Sequence, residues 1–129
     1  MKILLDCSPA RIAKLTLELQ YEFWQLRTPL TAYRLSGVPY ALDNGCFSTF
    51  YFHRWLRLIR EARKHPPLFV TLPDVVGDAG ATLRNFDLYY AATHGLPRAL
   101  VLQDWIDSHQ IPWERLDAVF VGGSTLFKD

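Results

Sequence analysis

The chain has 129 residues, of which half are apolar and 21% are charged, a composition that excludes a disordered chain and fits one folded domain. Fourteen basic and 13 acidic side chains leave a net charge of +1, which excludes a polycation that holds nucleic acid by bulk charge, so any such contact is local.

At the N-terminus, residues 3–5 are aliphatic before Asp6 interrupts; this is too short for a signal-peptide core, and no later apolar run approaches the roughly 18 residues of a membrane span. The same residues read as a first strand. Ser8 and Pro9 then supply an N-cap and a first-turn proline for a helix in which Ile12, Leu15, Leu19, Phe23 and Leu26 recur at steps of three and four. Tyr40, Ala41 and Leu42 form the second aliphatic run. The Asn44-Gly45 that follows is either a type I′ hairpin turn or the exit from a strand into a helix.

Residues 52–64 place Trp55, Leu58, Ile59 and Ala62 on one helical arc, with Arg54, Arg57, Arg60, Arg63 and Lys64 opposite. That basic stripe is read as the solvated outer face of the helix, with phosphate contact as the alternative. The aromatic segment from Phe47 through Tyr51 to Trp55 either packs in the core or stacks on nucleobases. Residues 68–72 are a third run, ending in Pro73-Asp74. Asp78, after Gly77, is the expected cap of a third helix carrying Ala79, Leu83, Phe86 and Tyr90 and closed by His94-Gly95. Residues 99–102 and 118–121 are the last two runs, with a short helix expected at 112–116.

Most of these runs are continuous rather than alternating, as strands are when both faces of a parallel sheet are covered. Strand and helix in repeated succession predict right-handed crossovers between parallel neighbours. The expected fold is therefore α/β: parallel βα repeats forming a partial, half TIM-type barrel with about five strands, since a whole barrel takes about 250 residues. Residues 1–129 read as a single βα-repeat domain, without linker or low-complexity tract.

Ligand sites in such folds gather at the C-terminal ends of the strands. The expected exits are Asp6-Cys7-Ser8, Asp43-Asn44-Gly45, Pro73-Asp74, Gln103-Asp104 and Gly122-Gly123-Ser124. A ring of carboxylates and amides beside a glycine pair suits a flat, polar, hydrogen-bonding ligand. Each exit also has a purely structural reading: Asp74 as a turn residue, Gln103 as a satisfied rim amide, Gly122-Gly123 as a tight turn. Cys7 and Cys46 stand far apart, and His53, His65, His94 and His109 share no ligand spacing, so no metal, cofactor or disulfide framework is expected. The location expected is cytoplasmic.

In series, these exits resemble the tRNA-guanine transglycosylase family, especially its diverged branch associated with inserting 7-deazaguanine bases into DNA. Leu42-Asp43-Asn44-Gly45-Cys46-Phe47-Ser48 resembles the family's D-S-G-G-F-Q motif, with Asn44 and Cys46 in place of Ser and Gly and Ser48 in place of Gln. Leu72-Pro73-Asp74 is similar to the segment bearing a second pocket Asp. Val101-Leu102-Gln103 is similar to the strand whose Gln contacts the base, with Asp104 where the family has Gly. Phe120-Val121-Gly122-Gly123-Ser124 matches the Gly-Gly motif whose backbone N–H meets the base carbonyl.

The resemblance implies an N-terminal half of a pentosyltransferase of the queuine and 7-deazaguanine type, acting in nucleic acid modification. It implies a substrate-binding set of Asp43, Asn44, Asp74, Gln103, Gly122 and Gly123, with Asp43 in acid/base work or sugar orientation. The expected partners are a guanine-type base, tRNA or DNA, and a second copy or a second half-barrel chain, with no membrane. The family's nucleophilic Asp and its Cys/His zinc site belong to segments beyond the Gly-Gly motif, past Asp129, so this chain is expected not to exchange bases alone. Two other readings stand beside this one: a non-catalytic module that completes a barrel with a partner chain, and a small phosphate-binding α/β protein or hydrolase using residues 122–124 as an anion loop.

Overall fold

The computed structural model describes residues 1–128. Six strands, β1 (Leu4–Leu5), β2 (Trp24–Arg27), β3 (Tyr40–Leu42), β4 (Val70–Thr71), β5 (Arg98–Leu102) and β6 (Ala118–Val121), pair in sequence order, every neighbour parallel. The sheet curls into a half-barrel. Helices α1 (Pro9–Leu19), α2 (Phe52–Ala62) and α3 (Ala79–Tyr89) provide the return crossings after β1, β3 and β4, and a single turn, α4 (Thr125–Lys128), follows β6. Parallel β3 and β4 rule out the hairpin reading of Asn44-Gly45. The helix expected at 112–116 is only a 3₁₀ turn, Trp113–Arg115.

The sequence pattern predicts five strands, and β2 is the one it hides. Helical spacing carries the first helix on to Leu26, but α1 ends at Leu19, where Gln20 turns left-handed with φ of 48°. Phe23 and Leu26 fit a helix by spacing, yet Trp24–Arg27 alternates half-buried and buried residues, the period of a strand. The buried positions are Gln25 and Arg27, so a hydropathy pattern reads them backwards. No helix covers this part of the sheet. The connection to β3 packs there instead, held because Gln25 Nε2 donates to Arg34 O at 2.9 Å, its Oε1 accepts from Ser36 N at 3.2 Å, and Arg27 Nε donates to Tyr33 O at 2.6 Å. Arg27 also pairs with Glu61 of α2 at 2.7 Å, which leaves its buried charge satisfied.

Strand register separates two faces. Leu42 is aligned with Val70, and these join Leu100, Trp55, Leu58, Ile59 and Phe86 in the core between sheet and helices. Residues one step along, such as Leu26 opposite Ala41 and Val101 opposite Phe120, point to the concave side. Asp78 accepts from Ala81 N–H at 2.8 Å and starts α3 as the sequence predicts.

Trp55 is fully buried, and its ring sits 6.0 Å from Phe50 and 5.7 Å from Tyr89, both edge-on. The inner part of the aromatic segment is therefore core. Trp55→Ala is expected to cost about 3–5 kcal/mol of stability, read as a lower urea midpoint. Because Trp55 Nε1 has no partner among the described residues, Trp55→Phe should cost distinctly less.

Candidate functional site

All strands being parallel, every exit lies at one end of the sheet, and the exits of β3, β4 and β6 meet around a cavity of about 240 Å³. Leu26, Val101 and Phe120 from the concave face, with Phe47 and Val76 from the loops, give it apolar walls. Asp43, Asn44, Asp74, Gly122, Gly123 and Lys128 supply its polar lining. Three larger cavities occur among the described residues: two, of about 770 and 480 Å³, lie beside α1 and at the N-terminal ends of β3 and β4 and gather no strand-exit residues, and a third, of about 400 Å³, is lined by Asp104, Trp105, Ser124, Leu126 and Phe127 at the exits of β5 and β6.

Asp74 is the centre of the polar set. Asn44 Nδ2 donates to its Oδ1 at 2.8 Å, and Gln103 Nε2 donates to its Oδ2 at 2.6 Å. Both amides are buried, at 2% and 0% exposure, and each is oriented from its other side. Asn44 Oδ1 accepts from Cys46 N, its Nδ2 also donates to Leu72 O, and Gln103 Oε1 accepts from Gly77 N at 2.9 Å. A carboxylate has about four acceptor positions. The two amides use one on each oxygen, which leaves one on each oxygen available to a ligand.

Asp43 comes from the same exit as Asn44 and folds its Oδ2 back on Gly45 N at 2.9 Å, an Asx turn that Gly45 completes with φ of +76°. Burial, reinforced by the charge of Asp6, pushes the Asp43 carboxyl above the usual carboxylate range. Burial also raises Asp74, and the neighbouring charge of Asp43 adds to it, while the bonds from Asn44 and Gln103 act the other way. Cys46 is pushed up to about 12 by burial, so its thiol stays protonated and is no nucleophile.

The glycine pair has two different roles. Gly122 N–H is spent on the sheet, donating to Leu102 O at 3.0 Å. A Cβ at 122 would meet Val101 Cγ1 at 2.5 Å and Gln103 Nε2 at 3.1 Å, so only glycine lets this backbone lie over the Gln103 amide. Gly123, with φ of +76°, lines the cavity, and its N–H has no partner among the described residues. Gln103 itself does not line the cavity: its Nε2 is engaged with Asp74 and its Oε1 with Gly77 N.

Asp104 is the residue the sequence reading undervalued. Its Oδ1 accepts from Ser124 N at 2.7 Å and its Oδ2 from Ser124 Oγ, and these bonds hold its carboxyl below the usual range. The loop at residues 122–124 is thus tied to the exit of β5 by the chain's own carboxylate. Asp6 accepts from Thr31 Oγ1 at 2.8 Å and does not line the cavity.

Among the described residues no three His, Cys, Asp or Glu side chains come together as a metal site, and no helix is long and apolar enough to cross a membrane. No family model, curated protein or solved structure matches the chain.

A carboxylate whose folded pKa is raised holds stability below its ordinary value of 3.8 and loses it as pH rises through the folded value. Asp43→Asn keeps an oxygen for Gly45 N–H while removing that charge. The variant should gain stability over the native chain as pH climbs from about 4 to neutrality, and the two should converge at lower pH, as read from denaturation midpoints across the range.

Proposed function

We propose that the cavity binds the edge of a guanine-type base, as the recognition half of a tRNA- or DNA-guanine transglycosylase-like enzyme. The observation that carries this reading is the Asp74 carboxylate clamped by Asn44 and Gln103 with one acceptor position left on each oxygen. A guanine edge presents two adjacent donors, N1–H and the exocyclic amine, which such a carboxylate accepts together. The unpartnered Gly123 N–H and Lys128 are the groups suited to the base carbonyl, and Phe47, Val101 and Phe120 are suited to the ring faces. A volume of about 240 Å³ is below the ~300–1,000 Å³ of sites for drug-sized ligands and in keeping with one bicyclic base.

On this reading Asp43, with its raised carboxyl, serves acid/base work or orients a sugar. The phosphate-loop alternative is weakened because Ser124 N–H and Oγ already hold Asp104. Assembly with a partner chain keeps one observation in its favour. Val119 and Val121, on the outer face of β6, are 40% and 56% exposed, as an edge strand awaiting a cover would be. Light scattering tests it: a monomer at all accessible concentrations removes self-assembly.

Calorimetric titration of the native chain should rank guanine above hypoxanthine, which lacks the amine and leaves one Asp74 oxygen unpaired at a cost of about 1–3 kcal/mol. Adenine, with an acceptor facing Asp74, should bind weakest. Asp74→Ala should lose about 2–5 kcal/mol of guanine affinity. Binding by the native chain should also weaken on acidification as Asp74 takes up its proton. Equal affinities across the three bases would sink the proposal whatever the variant does.

A further inference from the structure

The outer face of α2 carries a charge pattern that nothing in the fold answers. With 100° per residue, Trp55, Leu58, Ile59 and Ala62 point into the core, and His53, Arg57 and Arg60 fall within a narrow arc directly opposite; Lys64, in the turn just past the end of α2, extends the row, and all four are exposed. At 1.5 Å per residue this row is about 16 Å long. Four ion pairs occur among the described residues, and none uses Arg57, Arg60 or Lys64. Glu61, the one acid in this helix, turns instead to the buried Arg27 at 2.7 Å. Arg54 lies over the ring of Tyr51, and Arg63 donates to Ala92 O, so the row itself remains uncompensated.

This pattern works against the helix. Cations at i,i+3 and i,i+4 repel one another. The first turn holds no acid and Tyr51 gives no side-chain cap bond, so the N-terminal end has none of the usual help either. Three local preferences are set aside on one exposed helix, in a chain whose net charge is only +1, and such concessions concentrate where a surface is used.

We propose that this row is a docking surface for the phosphate backbone of a polynucleotide. The row has no exposed apolar residue within it to anchor a protein hot spot. Its apolar side is consumed by the core, which leaves nothing to insert into a membrane interface. A linear series of cations is sufficient for phosphates alone. The inference stands on charge and geometry independently of the base cavity, and it adds to that reading the surface on which a polynucleotide would lie.

The test is fluorescence anisotropy with a labelled single-stranded oligonucleotide, titrated between about 50 and 200 mM salt. Three phosphate contacts correspond to a slope of about −2 in log K against log salt, an affinity loss of about 20-fold over that range. The triple variant Arg57→Gln, Arg60→Gln, Lys64→Gln should lose at least tenfold in affinity at the lower salt and most of the slope. Its own melting temperature should be equal to or above the native one, because like charges have been removed; this separates lost contact from lost fold. An oligothymidylate, which offers the cavity no guanine, should show the same affinity, slope and sensitivity to the triple variant, so failure here and failure of the base cavity are told apart. Unchanged oligonucleotide binding in the triple variant would overturn the proposal. So would equal or tighter binding of the native chain to polyglutamate or to anionic lipid vesicles.

Discussion

Unbroken parallel pairing from β1 to β6 is the constraint from which the rest follows. A parallel neighbour can be reached only by carrying the chain back over the sheet, and the right-handed sense of each crossing puts the returning segments on one side. The strand exits then have no choice but to share an end. Three of the returns are made by α1, α2 and α3; the return from β2 to β3 has no helix, and buried Gln25 and Arg27 bind its backbone instead. Polar side chains facing the outer layer thus do what leucines do elsewhere in the sheet.

At the shared rim, desolvation and hydrogen bonding pull in opposite directions. Burial raises the Asp74 carboxyl above the usual carboxylate range, and its two amide donors favour the charged form. The result is an acceptor that is fixed in position and partly dehydrated at the wall of the cavity. Asp104, at the exit of the next strand, accepts both of its bonds from Ser124, which hold its carboxyl below the usual range, and it does not line this cavity. Two aspartates on adjacent exits, each bonded once on each oxygen, are thus shifted in opposite directions, and only Asp74 faces the cavity.

Charge is also segregated across the molecule. Carboxylates collect at the strand exits and line the cavity, whereas α2 concentrates cations on its outward side.

Continuous apolar runs, helical spacing and the succession of strand and helix in the amino-acid sequence were enough to determine the parallel α/β class, five of the six strands, the Asp78 cap, the core face of α2 and the shared rim at which Asp43, Asp74 and the glycine pair emerge. These are local properties: each depends on residues a few positions apart, as an unbroken apolar run, a helical period of 3.6 or a capping side chain. β2 escaped because its buried residues are Gln25 and Arg27, whose burial is tolerable only through partners at Arg34, Ser36, Tyr33 and Glu61. The same holds at the site. That Asn44 and Gln103 would grip Asp74, that Gln103 would sit beneath Gly122, and that Asp104 would close on Ser124 are facts about residues roughly 20–30 positions apart in sequence. Only the curvature and register of the assembled sheet bring them within hydrogen-bond reach, and hydrogen bonds fall off too steeply with distance for any local pattern to announce them.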